Sequence, residues 1–134
     1  MRCNLPHMTT APDTAQAITD TVHRYIELIG SGDADALTGL YAADASVEDP
    51  VGGEVHIGHQ AIHNFYSAIT GLKRHGELVS LRVSGNEAAF QFALTITNGE
   101  HRMRIEPIDV MVFDGEGKIS GMKAYWSAEN ITQL

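Results

Sequence analysis

Cysteine is almost absent from this 134-residue chain, in which Cys3 is the single example. One cysteine excludes an intrachain disulfide and a multi-thiolate metal site, and it suits a reducing cytoplasm. Basic residues are also few: nine Lys and Arg stand against 17 Asp and Glu, for a formal net charge of -8. This balance, with the basic residues scattered along the sequence, argues against nucleic acids and anionic membranes as partners.

Long apolar runs are missing as well. No stretch approaches the roughly 20 residues that span a bilayer, and none resembles an export signal, so we expect a cytoplasmic protein. The length suits one domain with one continuous core. Residues 1–11 lack any periodicity and are predicted to be disordered, which leaves a single domain over residues 12–134.

Helical periodicity occupies the first half of the chain. A long amphipathic helix is predicted from Pro12 to the Gly30 region, a short second helix follows the capping residue Asp33, and a third lies between Gly58 and Gly71. On this interpretation each helix carries one tyrosine on its inward face, namely Tyr25, Tyr41 and Tyr66.

The second half alternates as β-strands do. Strands are predicted over residues 78–83 and 88–97, then after an Asn98-Gly99 hairpin over residues 103–113, with a last strand ending near Trp126. Pro107 lacks an amide donor, which indicates a bulge or an edge position. Helices followed by a meander predict an α+β conical fold, in which three N-terminal helices pack on a curved, mostly antiparallel sheet that encloses an apolar pocket.

Two aspartates fall on rows of otherwise apolar residues. Asp49 shares a strand face with Ala45 and Val47, and Asp109 lies between Pro107 and Met111 on the return strand. Burial disfavours the charged form of a carboxyl and raises its pKa. A structural interpretation has equal weight at this point: Asp49 caps a loop, and Asp109 binds backbone at the bulge.

The three tyrosines favour a functional interpretation of the two aspartates over a structural one, because buried hydroxyls need hydrogen-bond partners. Any one of them is explained as an ordinary amphipathic core residue. Three that converge with two inward carboxyls indicate a site for proton transfer.

These residues resemble the bacterial Δ5-3-ketosteroid isomerases. The similarity runs in order from about residue 12 to residue 130. The joint presence of Tyr25, Asp49 and Asp109 is its most specific part, since the wider nuclear-transport-factor-type fold hosts many functions. The matching stretches are Arg24-Tyr25-Ile26-Glu27-Leu28, Tyr41-Ala42-Ala43-Asp44-Ala45, Val47-Glu48-Asp49-Pro50, Phe65-Tyr66, Ile108-Asp109-Val110-Met111 and Ala124-Tyr125-Trp126-Ser127.

The resemblance implies a role for each residue. Asp49 is the general base that moves a proton between two carbons, Tyr25 and a neutral Asp109 donate hydrogen bonds to the ketone oxygen, and Tyr41 and Tyr66 support Tyr25. It further implies a steroid or similar flat apolar ketone as substrate, no cofactor, no metal, and a homodimer. Candidate substrate-binding residues are Phe92, Leu94, Met111, Met122 and Trp126.

Three alternatives remain open on the sequence. The same fold serves non-catalytic proteins that bind steroids or other apolar ligands, and it serves dehydratases and polyketide cyclases, which often use a histidine base. The cluster of His56, His59 and His63 also invites a metal site. Its spacing around the apolar seam of the third helix favours histidines that face solvent or a partner chain.

Overall fold

Helices precede most of the sheet, as the periodicity predicts. The computed structural model describes residues 12–134, so the predicted disordered segment 1–11 and Cys3 lie outside the described residues. The helices are α1 (Pro12–Ser31), α2 (Ala34–Thr38) and α3 (His59–Thr70). The strands are β1 (Tyr41–Glu48), β2 (Val55–Ile57), β3 (Lys73–Ser84), β4 (Glu87–Asn98), β5 (His101–Ile105), β6 (Ile108–Phe113), β7 (Ile119–Tyr125) and β8 (Ile131–Gln133).

All eight strands join one mixed sheet. Its order is β2-β1-β7-β6-β4-β5-β8, and β3 pairs with β4. The β1–β7 pair is parallel while the other pairs are antiparallel. The predicted α+β class, with three helices and a mostly antiparallel sheet, is confirmed, and α1 packs directly on β3 and β4.

Tyr41 lies on a strand, and the prediction of a helix at this position is wrong. The sequence predicts it on the second helix, but α2 ends at Thr38 and Tyr41 is the first residue of β1. The Asp33 side chain caps α2 at the Ala36 amide as predicted, and the Gly39 amide closes the helix by bonding back to Asp35 and Leu37. A helix of five residues has no room for a further turn, so Tyr41 reaches the core from a strand.

The return strand is broken in the middle. β5 ends at Ile105 and β6 starts at Ile108, with Pro107 in the gap, as expected for a residue without an amide donor. β4 therefore has two partners on one side: Leu94 to Asn98 pair with β5, and Glu87 to Gln91 pair with β6. The preceding hairpin turns at Gly99, whose φ of 64° suits the first central position of a tight turn.

Arg74 on β3 joins the ends of two helices. Its guanidinium donates to the Ile29 and Gly32 carbonyls at the end of α1, at 2.7 and 2.6 Å. It also donates to the Thr70 and Leu72 carbonyls at the end of α3, at 3.3 and 3.2 Å. The last carbonyls of a helix have no partner within the helix. Arg74 donates hydrogen bonds to such carbonyls at the ends of both α1 and α3.

Replacing Arg74 with methionine is expected to lower the free energy of unfolding by about 2 kcal/mol, because several partly buried carbonyls lose a charged donor together. Urea denaturation followed by circular dichroism measures the change. Arg82→Met is the matched control, since Arg82 is exposed and its side chain bonds only the neighbouring Leu81 carbonyl within residues 12–134. Equal losses in the two variants would contradict this role for Arg74.

None of the helices in the described part of the chain is long and apolar enough to cross a membrane.

Candidate active site

A cavity of about 240 Å³ lies between α1, α3 and the inner face of the sheet. Its polar lining residues are Tyr25, Asp49, Tyr66 and Trp126. The rest of the lining is apolar and comes from both helices, from β4 and β5, and from the gap between β5 and β6: Ile29, Phe65, Ile69, Phe92, Leu94, Ile96, Met103, Ile105 and Pro107. Such a space suits a flat hydrophobic molecule whose orientation is set by a few polar groups.

The predicted substrate-binding residues divide into two groups. Phe92, Leu94 and Trp126 line the cavity. Met111 and Met122 do not: both are buried, at 0% and 2% exposure, and they pair with each other across β6 and β7. They lie further along the inward rows than the cavity extends, so their side chains fill the core beneath it.

Several lining residues were not selected from the sequence. Met103, Ile105 and Pro107 stand in the same inward row as Asp109, so strand alternation was the available signal. Ile29, Phe65 and Ile69 come from the apolar stripes of α1 and α3. Periodicity places such residues inward, but it does not separate those that face a cavity from those that face packed side chains.

Asp49 stands at the edge of the cavity, directly after β1. The Trp126 indole Nε1 donates to its Oδ1 at 2.6 Å. Burial raises the pKa of the Asp49 carboxyl, while the Trp126 hydrogen bond and the nearby His56 act in the opposite direction. The carboxylate is thus oriented by one donor, partly open to solvent, and more basic than an ordinary aspartate.

The environment of Asp109 differs from that of Asp49. It is 1% exposed, follows the lining residue Pro107 in the inward row of β6, and pairs across the sheet with Phe90. Neither carboxyl oxygen has a hydrogen-bond partner among residues 12–134. Burial raises the pKa of Asp109 well above its usual value and the Asp49 charge adds to this. The adjacent Tyr25 hydroxyl opposes it, although it does not reach either oxygen in hydrogen-bond geometry.

Burial favours the neutral, protonated form of a carboxyl, and in that form the group can donate a hydrogen bond. Two unpartnered oxygens in a native core call for an explanation, since buried polar groups are nearly always hydrogen-bonded. Asp109 is not itself among the residues that line the cavity, and a ligand oxygen that reached it would provide the partner.

The three predicted tyrosines form one chain of hydroxyls. The Tyr41 and Tyr66 hydroxyls lie 2.6 Å apart, and Tyr66 donates to the Tyr25 hydroxyl at 3.5 Å. Burial raises the pKa of all three well above the usual value of tyrosine, so they remain phenols. Because Tyr25 accepts from Tyr66, its own proton stays free to point into the cavity.

The three clustered histidines, His56, His59 and His63, each contact another residue of the protein. His63 Nε2 lies 2.9 Å from the Asp35 carboxylate, and His59 Nε2 lies 2.8 Å from the Tyr41 carbonyl. The His56 ring stacks on Phe65, with ring centres 4.7 Å apart. Within the described residues, no group of three or more His, Cys, Asp or Glu side chains is arranged to hold a metal ion.

Comparison with known proteins agrees with the resemblance seen in the sequence motifs. Residues 22–122 match the family model of the SnoaL-like domain. A curated protein from Nocardioides simplex, named steroid Delta-isomerase, is 42% identical over 106 residues, which cover 79% of this chain and 86% of that protein.

A solved structure is similar over most of the described fold. It belongs to a study of SalBIII, an epoxide hydrolase/cyclase-like enzyme in pyran ring formation in the polyether salinomycin. The TM-score is 0.83 at 27% sequence identity, and the match covers 89% of this chain and 97% of that one. The family match spans most of the chain and the curated relative is 42% identical, so this chain belongs to the SnoaL-like domain family.

Proposed function

We propose that this protein is a steroid Δ5-3-ketosteroid isomerase, which moves a C=C bond into conjugation with a ketone. The observation that carries the proposal is the unequal pair of aspartates: Asp49 lines the apolar cavity, oriented and partly solvated, and Asp109 is buried without partners on the inward row that continues from the lining residue Pro107. Acid and base assignments follow where the environments of two titratable groups push their pKa values apart. The curated steroid Delta-isomerase, 42% identical, supports the same conclusion.

The reaction transfers one proton within the substrate. The Asp49 carboxylate removes a proton from the carbon between the ketone and the double bond, and the electron pair moves onto the ketone oxygen to give a dienolate. The Tyr25 hydroxyl and the protonated Asp109 donate hydrogen bonds to that oxygen. Asp49 then returns the proton two carbons further along, so the product is the conjugated isomer and the enzyme is unchanged.

The surroundings of these residues suit this chemistry. Apolar walls exclude water, and hydrogen bonds to a developing charge are stronger in such a medium than in bulk solvent. The chain from Tyr41 through Tyr66 to Tyr25 fixes the donor at the ketone oxygen. A donor that is already oriented does not have to reorganise as the charge develops.

The direct test mixes the purified protein with 5-androstene-3,17-dione and follows the ultraviolet absorbance of the conjugated enone. We expect multiple turnovers and no loss of activity after chelator treatment. Binding of the steroid without any rise in absorbance would favour a non-catalytic binding protein. Activity that disappears with the chelator would contradict the metal-free mechanism.

The acidic limb of the pH profile of kcat/KM should reflect the ionisation of Asp49. The carboxylate is the active form, so activity is lost as pH falls through the Asp49 pKa, which burial places above the usual value of 3.8. The Trp126 hydrogen bond lowers this pKa. Trp126→Phe is therefore expected to move the acidic limb to higher pH, and Tyr125→Phe, at an exposed neighbour, is expected to leave it in place. An unshifted limb in Trp126→Phe would contradict the role of the indole.

A cyclase or dehydratase on this fold is the second enzymatic candidate. The SalBIII structure shares the fold. Among residues 12–134, however, no histidine lines the cavity, and Asp49 is its only lining carboxylate. A histidine base inside the cavity is thus missing from the described part of the chain, and the isomerase accounts better for Asp109.

A further inference from the structure

His56 lies on the inward face of the sheet, near the end of β1 that leads to Asp49. The β1–β2 register pairs His56 with Val47, which is fully buried in the core. Side chains two positions apart on a strand share a face, so Asp49 belongs to the same inward row as Val47. On one face of an antiparallel pair, diagonal neighbours lie about 7–8 Å apart, within reach of long side chains. His56 and Asp49 stand in this relation to each other.

The imidazole of His56 packs against one wall of the cavity. Its ring centre lies 4.7 Å from that of Phe65, with 36° between the two ring planes. Phe65 also packs edge-on against Tyr66, with ring centres 5.1 Å apart, and it lines the cavity together with Asp49. Phe65 is thus held between an imidazole and a phenol. A positive charge on the imidazole would strengthen this contact, because the face of an aromatic ring attracts cations.

The His56 ring is able to take up a proton from solvent. It is half-buried, and within residues 12–134 neither ring nitrogen has a hydrogen-bond partner. Histidine is the side chain that ordinarily gains its charge as pH falls from 8 to 5. Burial raises the pKa of Asp49, and His56 opposes this rise, as does the stronger effect of the Trp126 hydrogen bond.

Asp49 is the charged group that shares the inward face with His56. β2 packs against β1 and α3. Glu48 alternates to the outer face, where its carboxylate accepts from a backbone amide of the next turn at 2.9 Å. His59 and His63 have their own partners, as described above. The remaining titratable groups of these elements and of the turn before β2 are either exposed or part of the tyrosine chain: Tyr41, Asp44, Glu54 and Tyr66.

We propose that His56 is a positioning residue for the Asp49 base: its ring rests on the Phe65 wall of the cavity, and from there its positive charge acts on the Asp49 carboxylate. The proposal rests on the proposed isomerase function, in which Asp49 must be ionised to take up a proton. A nearby cation favours the ionised form of a carboxyl. The charged His56 therefore keeps the base active at lower pH than the same cavity would without it.

The test measures the acidic limb of kcat/KM for 5-androstene-3,17-dione in three variants. His56→Phe keeps a ring that stacks on Phe65 but loses the charge, so we expect the limb to move to higher pH by about half a unit. His56→Lys keeps a positive charge without the ring, and its limb should lie at or below the wild-type position. An unmoved limb in His56→Phe, or an equal rise in His56→Lys, would overturn the proposal.

His63→Phe is the matched control. His63 lies in the same histidine cluster, but it pairs with Asp35 and does not line the cavity. The acidic limb of this variant should stay in the wild-type position. A shift equal to that of His56→Phe would show that the effect is not particular to His56 and would overturn the proposal.

Fluorescence separates failure of this proposal from failure of the isomerase function. Trp126 is the single tryptophan and donates to the Asp49 carboxylate, so its emission should change as Asp49 ionises, without any steroid present. Asp49→Asn identifies this step by removing it. If the steroid is isomerised but neither the limb nor the fluorescence midpoint moves in His56→Phe, the role of His56 is wrong and the isomerase stands. If no steroid is isomerised, a midpoint that rises in His56→Phe and returns in His56→Lys supports the action of His56 on Asp49, and an unmoved midpoint overturns it.

Discussion

Asp49→Asn is expected to reduce kcat about a thousandfold while KM for the steroid changes little. A general base contributes roughly 10²–10⁴ in rate, and an amide at this position cannot take up the proton. The asparagine oxygen can still accept the Trp126 indole bond, so the local structure is retained. Enone absorbance measures turnover, and Trp126 fluorescence measures whether the steroid still binds.

Asp44→Asn serves as the matched control for this variant. Asp44 lies on the same strand as the residues that lead to Asp49, but it is exposed and does not line the cavity. Its activity should equal that of the wild type. Near-normal turnover by Asp49→Asn, in a preparation free of wild-type enzyme, would remove Asp49 as the base and with it the mechanism.

Asp109→Leu is expected to slow turnover by about 10²–10³ with a small effect on steroid affinity, because one donor to the dienolate oxygen is lost. Asp109→Asn keeps the shape and still offers an N–H donor, so its loss should be clearly smaller. A purely structural role for Asp109 would not make turnover fall further in Asp109→Leu than in Asp109→Asn. Equal and mild effects of both variants would contradict the assignment of Asp109 as a donor.

The same Leu variant should be more stable than the wild type at neutral pH. Neither oxygen of Asp109 has a partner within the described residues, and burying such a group costs about 1–3 kcal/mol. A second cost depends on pH: the folded-state pKa of Asp109 is raised above the unfolded value, so this cost is absent below the unfolded pKa and grows as pH rises above it. The gain in Tm should therefore be several degrees at pH 7 and should shrink toward pH 3.

Most of the elements follow from the sequence because their causes are local. The apolar stripe of α1, the Asp33 cap and the two-residue alternation around Asp109 each act within a few residues. The inward position of Asp109 was predictable in the same way, since a strand places every second side chain on one face. The break at Pro107 follows from its missing amide.

The remaining features depend on contacts between distant segments. The hydrogen bond from Trp126 to Asp49 joins residues 77 positions apart, and no pattern in the sequence indicates it. Tyr41 reaches the core from β1 because α2 stops early, which periodicity alone does not determine. The approach of Lys73 and Arg102 to the same residue, Thr97, likewise depends on the strand register.

The two partners of β4 divide the site between them. The half of β4 that pairs with β6 lies beside Asp109, and the half that pairs with β5 supplies Leu94 and Ile96 to the cavity wall. Pro107 interrupts the hydrogen-bonded ladder between these halves. We therefore expect mutations in β5 to change which apolar ligands the cavity accepts without moving the groups that act on the ketone. A lineage built on this arrangement can diversify its substrates while its reaction stays the same.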